Sequence, residues 1–127
     1  MRYVIIGIVS HDDDHPTYQE GYVDALQLKF FDVDFDMMNF RGMIYPSIQP
    51  LDAVKILEFT EKNKNSIDLI VVHCNAGISR SSGTAAALSL IYNQDDSWVF
   101  KNPRYMPNML VRKTILNEAE KMGLLDE

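Results

Sequence analysis

The sequence predicts a single α/β domain with a central, mainly parallel β-sheet flanked by helices. Short apolar runs alternate along the chain with longer stretches of helical spacing, an order typical of parallel sheets. The chain has 127 residues, which is the length of one domain. Hydrophobic residues make up 46% of it, enough to build a core at this size.

Two strands and two loops are predicted in the first part of the chain. Residues 3–9 are apolar and mainly β-branched, which indicates a strand buried on both faces. Residues 10–21 are polar, and we expect a loop there. Residues 25–30 alternate apolar and polar side chains and predict the second strand. Residues 31–49 show no helical period, so we expect a long loop.

The rest of the chain predicts three helices around a third strand. The first helix begins at Pro50, the strand covers 67–72, and an Ala-rich helix covers 81–92. Residues 95–105 carry no clear pattern, and Pro107-Asn108 opens the last helix. Right-handed crossovers place the loops that follow parallel strands at one edge of the sheet. The loop after the second strand and the loop after the third strand should therefore meet.

Composition argues against several classes of function. Twelve basic and 18 acidic residues give a net charge of −6, which disfavours a nucleic-acid or anionic-membrane binder. The single cysteine allows no internal disulfide and no multi-cysteine zinc site, and it fits a cytoplasmic protein. We interpret the segment 11–15, His-Asp-Asp-Asp-His, as a solvated loop, since consecutive side chains rarely converge on one ion. We expect no metal and no cofactor.

The segment 73–81, His-Cys-Asn-Ala-Gly-Ile-Ser-Arg-Ser, lies between a predicted strand and a predicted helix. The first N–H groups of a helix lack internal partners and face the positive end of the helix dipole, which favours a bound anion. Gly77 lets the backbone curl around such an anion, and Arg80 offers a bidentate fork to two phosphate oxygens. The predicted phosphate-binding residues are Asn75, Ala76, Gly77, Ile78, Ser79 and Arg80.

Cys74 is the candidate nucleophile. A thiol beside a helix N-terminus and a guanidinium is expected to have a depressed pKa and to attack as the thiolate. The hydroxyl of Ser81 is placed to donate to the sulfur. His73 precedes the nucleophile, and we expect it to support the loop through backbone contacts rather than to react.

The spacing of Cys74, Arg80 and Ser81 after a histidine resembles the signature of the cysteine-dependent protein tyrosine phosphatases. The loop is most similar to their dual-specificity branch and its small bacterial and phage relatives. The resemblance extends over about residues 23–123 and includes Pro107-Asn108 at the start of the last helix. It also implies that Gly83 and the alanines 85–87 let their helix approach the sheet closely.

The resemblance implies a hydrolase of phosphorylated proteins that forms a phosphocysteine intermediate. Phosphotyrosine is the favoured substrate, and the reaction is expected to need no metal or cofactor. We expect the protein to bind neither nucleic acid nor membrane and to be a monomer. The domain would span residues 1–127 and be shortened at its N-terminus. The family takes its general acid from an aspartate after an earlier strand. Asp32 is our assignment, because it is the first aspartate after the second predicted strand, and Asp34 is the alternative.

Two other functions remain open on the sequence. One is hydrolysis of phosphates on lipid head groups or on RNA 5′ ends, although the loop 75–79 lacks the lysine typical of phosphoinositide phosphatases. The other is a non-catalytic module that binds phosphoproteins. The presence of Cys74, Arg80 and a candidate acid argues against that second alternative.

Overall fold

The computed structural model describes residues 1–33, 37–38, 44–75 and 78–125, and for 37, 38, 44 and 45 it describes the backbone only. The elements, in chain order, are β1 Tyr3–Val9, β2 Asp24–Lys29, β3 Met37–Met38, β4 Ile44–Tyr45, α1 Pro50–Asn63, β5 Leu69–Cys74, α2 Arg80–Asn93, α3 Ser97–Lys101 and α4 Met109–Lys121.

β1 is the central strand of a three-stranded sheet and pairs in parallel with β2 on one side and β5 on the other. Ile8 of β1 lies opposite Leu28 of β2 and Cys74 of β5. All three strands therefore end at one edge of the sheet. The predicted α/β fold with a parallel sheet is confirmed, and so is the meeting of the strand ends.

The helices α1, α2 and α4 form the layer that covers the sheet, with α4 packed against both of the others. Alternate residues of β1 belong to this core, as expected for a strand whose side chains point to opposite faces. The core side chains of β1, α1 and α4 include Val4, Ile6, Ile8, Ile56, Leu57, Val111, Ile115 and Ala119. Within the described ranges, no helix is both long and apolar enough to cross a membrane.

Three predicted elements differ from the structure. The stretch 31–49 was expected to lack regular structure, but β3 and β4 pair in it as a two-stranded antiparallel ribbon. Two residues per strand are too few to produce a period in the sequence. The helix α3 lies in the unassigned stretch 95–105. β5 begins two residues later than predicted and continues into Cys74.

Gly83 of α2 makes its close approach to α4 and not to the sheet. A methyl group at this position would lie 2.6 Å from the backbone oxygen of Asn108 and 3.2 Å from Cβ of Val111. The expectation that Gly83 brings its helix against the sheet is therefore wrong for this residue. The absent side chain lets the start of α4 lie against the first turns of α2.

We predict that Gly83→Ala destabilises the protein. Glycine-to-alanine changes in a helix interior usually stabilise by about 1 kcal/mol, but the added methyl collides with rigid backbone here. Overpacking of this kind costs about 1–3 kcal/mol, so the free energy of unfolding should fall. Urea denaturation measures it, with Ala85→Gly in the same helix as the comparison for propensity alone. An increase in unfolding free energy for Gly83→Ala would contradict the close approach.

Candidate active site

The guanidinium of Arg80 joins the ends of all three strands. Its Nη1 donates to Oγ of Ser10, the first residue after β1, at 3.0 Å, and to the backbone oxygen of Phe30, the first after β2, at 2.8 Å. Its Nη2 donates to Oδ1 of Asn75, the first residue after β5, at 3.1 Å. The same Oδ1 accepts from the backbone N–H of Ser10 at 3.0 Å. Arg80 is only 5% exposed, so these contacts hold a buried cation in place.

The remaining donors of Arg80 indicate what the site binds. Its Nε is buried and has no hydrogen-bond partner within the described part of the chain. To the described residues, Nη1 makes two hydrogen bonds and Nη2 makes one. A guanidinium presents Nε–H and an Nη–H in a planar fork that matches two oxygens of a phosphate or carboxylate. The arrangement therefore leaves a pair of N–H groups suited to an anion.

Cys74 lies at the end of β5 and is buried against the first turn of α2. The backbone N–H of Ser81 donates to Sγ at 3.4 Å, and Oγ of Ser81 lies 3.3 Å from the same sulfur. Ser81 is the second residue of the helix, so this N–H is one of those without an intrahelical acceptor. A negative charge on the sulfur would be stabilised by the helix terminus and by the hydroxyl.

Asp32 is held at the same edge of the sheet by two side chains. Its Oδ1 accepts from Oγ of Ser79 at 2.8 Å and from Nδ2 of Asn108 at 2.8 Å. Nδ2 of Asn108 also donates to the backbone oxygen of Val33 at 3.2 Å, while its Oδ1 caps α4 by accepting from the backbone N–H of Val111 at 3.0 Å. Since both bonds to the carboxyl use Oδ1, a proton given up by Asp32 would leave from Oδ2.

His73 lies on the face of the sheet opposite Cys74. Its Nε2 is 2.5 Å from the hydroxyl of Tyr18, and the two rings meet edge to face above Gly7. Burial lowers the pKa of His73 below its ordinary value. The His73 ring therefore contacts Tyr18, in the segment between β1 and β2. The expectation was a contact with the backbone of the loop that follows Cys74.

The structure brings most of the predicted site residues together at the strand ends. Those with described contacts are Asp32, Cys74, Asn75, Ser79, Arg80 and Ser81, and Ile78 is exposed beside them. Ala76, Gly77 and the alternative acid Asp34 lie outside the described residues. The segment 11–14 is exposed, and the described ranges contain no group of three histidine, cysteine, aspartate or glutamate side chains that could hold a metal ion.

Three groups of this site were not identified from the sequence. Ser10 is the first polar residue after the central strand, and its position at the shared edge was a signal that could have pointed to it. Asn108 was assigned only as the start of a helix, although asparagine is a common N-cap whose Nδ2 stays available for other contacts. The carbonyl of Phe30 belongs to the backbone, and since every residue has one, the residue type does not indicate this contact.

Comparison with solved structures gives a likeness over most of the chain. The human tyrosine phosphatase-like serine/threonine/tyrosine-interacting protein aligns with a TM-score of 0.62 and 21% sequence identity, covering 96% of this chain and 78% of that one. The chain has a tyrosine-phosphatase-like fold. No protein-family model and no curated protein matches the sequence. The likeness thus establishes the fold, while the chemistry has to be argued from the residues.

We predict that Ser10→Ala weakens binding of an inorganic oxyanion such as vanadate. The change removes one acceptor that holds Arg80 and leaves a buried N–H of a charged group unpaired. Affinity measured by calorimetry should fall by roughly tenfold, the size expected for one hydrogen bond to a charged group. Ser10→Thr keeps the hydroxyl and should retain most of the affinity. Equal affinities for the alanine and the wild-type proteins would show that Ser10 does not position Arg80.

Proposed function

We propose that this protein is a cysteine-dependent phosphomonoester hydrolase of the tyrosine or dual-specificity type, acting on phosphorylated proteins. The observation that carries the proposal is the buried guanidinium of Arg80, whose Nε has no partner among the described residues and whose Nη2 makes one hydrogen bond to them. Cys74 lies at the start of the same loop. An oxyanion held by Arg80 would place its central atom near a nucleophile, which is the arrangement that phosphoryl transfer to sulfur requires.

In the first step, Sγ of Cys74 attacks phosphorus in line with the ester oxygen. The S–P bond forms as the P–O bond breaks, and the charge on the equatorial oxygens is stabilised by Arg80 and by the N–H groups of the loop. The leaving oxygen takes a proton from Asp32. Binding of Asp32 to Ser79 supports this role, because Ser79 immediately precedes Arg80 and so ties the acid to the phosphate loop.

In the second step, water hydrolyses the phosphocysteine. The carboxylate of Asp32 accepts a proton from the attacking water, the O–P bond forms, and the S–P bond breaks. Sulfur leaves as the thiolate, which the hydroxyl and the backbone N–H of Ser81 are positioned to stabilise. Phosphate departs, and Asp32 is protonated again for the next cycle.

A module that binds phosphoproteins without turning them over is the second candidate. The description of the human neighbour favours it, since that protein is named as phosphatase-like and as interacting with serine, threonine and tyrosine. The same anion-binding edge would serve either function. Turnover by the wild-type protein separates the two, because a binding module would retain phosphopeptides and release no phosphate.

We predict that Cys74→Ser abolishes turnover of a small aryl phosphate and leaves vanadate binding largely intact. The serine hydroxyl ionises far less readily than a thiol and is a much weaker nucleophile, whereas the donors that hold the anion lie on Arg80 and the loop. Phosphate release should fall more than roughly a hundredfold. Ser97→Ala, a change at the start of the distant α3, is the control and should turn over normally. Activity near the wild-type level in Cys74→Ser would show that another group is the nucleophile.

We predict that Asp32→Asn lowers turnover of an aryl ester with a poor leaving group by roughly 10²-fold. The asparagine keeps an oxygen acceptor for Ser79 and Asn108 but has no proton to donate. The loss should depend on the leaving group, because only a strongly basic leaving oxygen needs a proton from the acid. An ester with a weakly basic leaving group should be affected much less.

Asp34→Asn is the matched control for this experiment, and its cost should stay under about tenfold, below the usual general-acid contribution. If Asp34→Asn shows the large, leaving-group-dependent loss and Asp32→Asn does not, Asp34 is the acid. The role of Asp32 would then be limited to tying Ser79 to Asn108.

A further inference from the structure

Three large apolar side chains are exposed beside the proposed phosphate site. Ile78 is 42% exposed, Met106 is 72% exposed and Met109 is 50% exposed. We call these three residues the apolar rim. The backbone N–H of Met106 donates to the oxygen of Ile78 at 3.2 Å, so the segment before α4 is bonded to the residue two positions before Arg80.

A second backbone bond fixes the same arrangement. The N–H of Asn108 donates to the oxygen of Ser79 at 3.0 Å. Met109 follows Asn108 directly, which places it within one residue of this contact. Backbone hydrogen bonds therefore join the segment that carries Met106 and Met109 to Ile78 and Ser79, the two residues that precede Arg80.

The packing of α4 leaves Met109 exposed. The buried positions of the helix are Val111, Ile115 and Ala119, spaced four residues apart. Met109 precedes Val111 by two residues and so lies on a different side of the helix. Exposed apolar side chains on segments joined to a binding site are available to contact a ligand, and methionine adapts well to different apolar partners.

Charge on another part of the site indicates which ligand to expect. Ser10 contacts Arg80 and Asn75, and the exposed residues Asp12, Asp13 and Asp14 follow it directly. The N–H of Asp13 donates to the oxygen of Ser10 at 3.0 Å, which keeps this acidic segment close to the site. Three carboxylates there repel a polyanion such as RNA or an anionic bilayer and attract a basic peptide.

We propose that the apolar rim binds an apolar side chain located within a few residues of the phosphorylated residue in a protein substrate. The occupant is a segment of a phosphopeptide, because apolar contact and negative charge occur beside the same anion site. The inference rests on the proposed function and names the substrate class that the site selects. Lipid head groups and 5′-phosphorylated RNA have no apolar side chain for the rim, and the acidic segment would repel their additional negative charge.

The test compares two phosphotyrosine peptides that differ only in the residues flanking the phosphotyrosine, leucine in one and serine in the other. The readout is the ratio of their kcat/KM values, since a ratio cancels general losses of activity. The wild-type protein should prefer the leucine peptide by about fivefold, less than the tenfold or more expected when such a group is fully enclosed. Met106→Ser and Met109→Ser should each bring the ratio towards one, and Met106→Leu should keep it.

Met122→Ser is the matched control. Met122 is 40% exposed and follows the far end of α4, so its replacement should leave the ratio unchanged. The proposal is overturned if the wild-type protein treats both peptides equally. It is also overturned if the serine variants at 106 and 109 retain the wild-type ratio, or if a 5′-phosphorylated RNA or an anionic phosphoinositide vesicle is a better substrate than the leucine peptide.

Failure of the proposed function would be seen separately. If the wild-type protein turns over neither the aryl phosphate nor the peptides, the hydrolase proposal fails while the inference about the rim is still tested. Fluorescence anisotropy with the same two peptides then gives the ratio of dissociation constants. Tighter binding of the leucine peptide that is lost in Met106→Ser supports the rim, and equal binding or no binding of both peptides overturns it.

Discussion

The structure depends on one buried cation, the guanidinium of Arg80. Removing a charge from water costs several kcal/mol unless polar partners compensate. The described partners are neutral oxygens of Ser10, Phe30 and Asn75, and the ion pairs found among the described residues do not include Arg80. Its positive charge is thus held in place and left for an anion. These partners are the first residues after the three strands, so the parallel pairing of the strands brings them to one guanidinium.

Asn108 links the candidate acid to the rest of the domain. Its oxygen caps α4, and its nitrogen binds Asp32 and the backbone after β2. Ser79 occupies the N-cap position of α2 but directs its hydroxyl to Asp32 instead of capping its own helix. The carboxyl is therefore connected to two helix starts. The packing of α2 against α4, with Gly83 next to Asn108, therefore affects the position of Asp32 and the proposed chemistry.

The fold by itself permits either catalysis or binding, since an edge that binds a phosphate can serve both. What favours catalysis is the set of residues at that edge. A binding module needs the donors of Arg80 but has no need of a sulfur contacted by a helix N–H and a hydroxyl. The parts of the surface that would contact the rest of a substrate, the apolar rim and the acidic segment, are equally useful in both cases.

The sequence by itself determined the fold class, the three strands of the parallel sheet and the three long helices. It also identified Cys74, Arg80 and Asp32 as candidate site residues. Apolar periodicity and the spacing of Cys74, Arg80 and Ser81 are local properties of the chain, so they can be recognised from the linear sequence. The tertiary structure decided that Ser10 and the carbonyl of Phe30 hold Arg80, that Asn108 holds Asp32, and that Gly83 faces α4. These contacts join residues as many as 76 positions apart. Chain topology and packing bring such residues together, and no local pattern records which neighbours they meet.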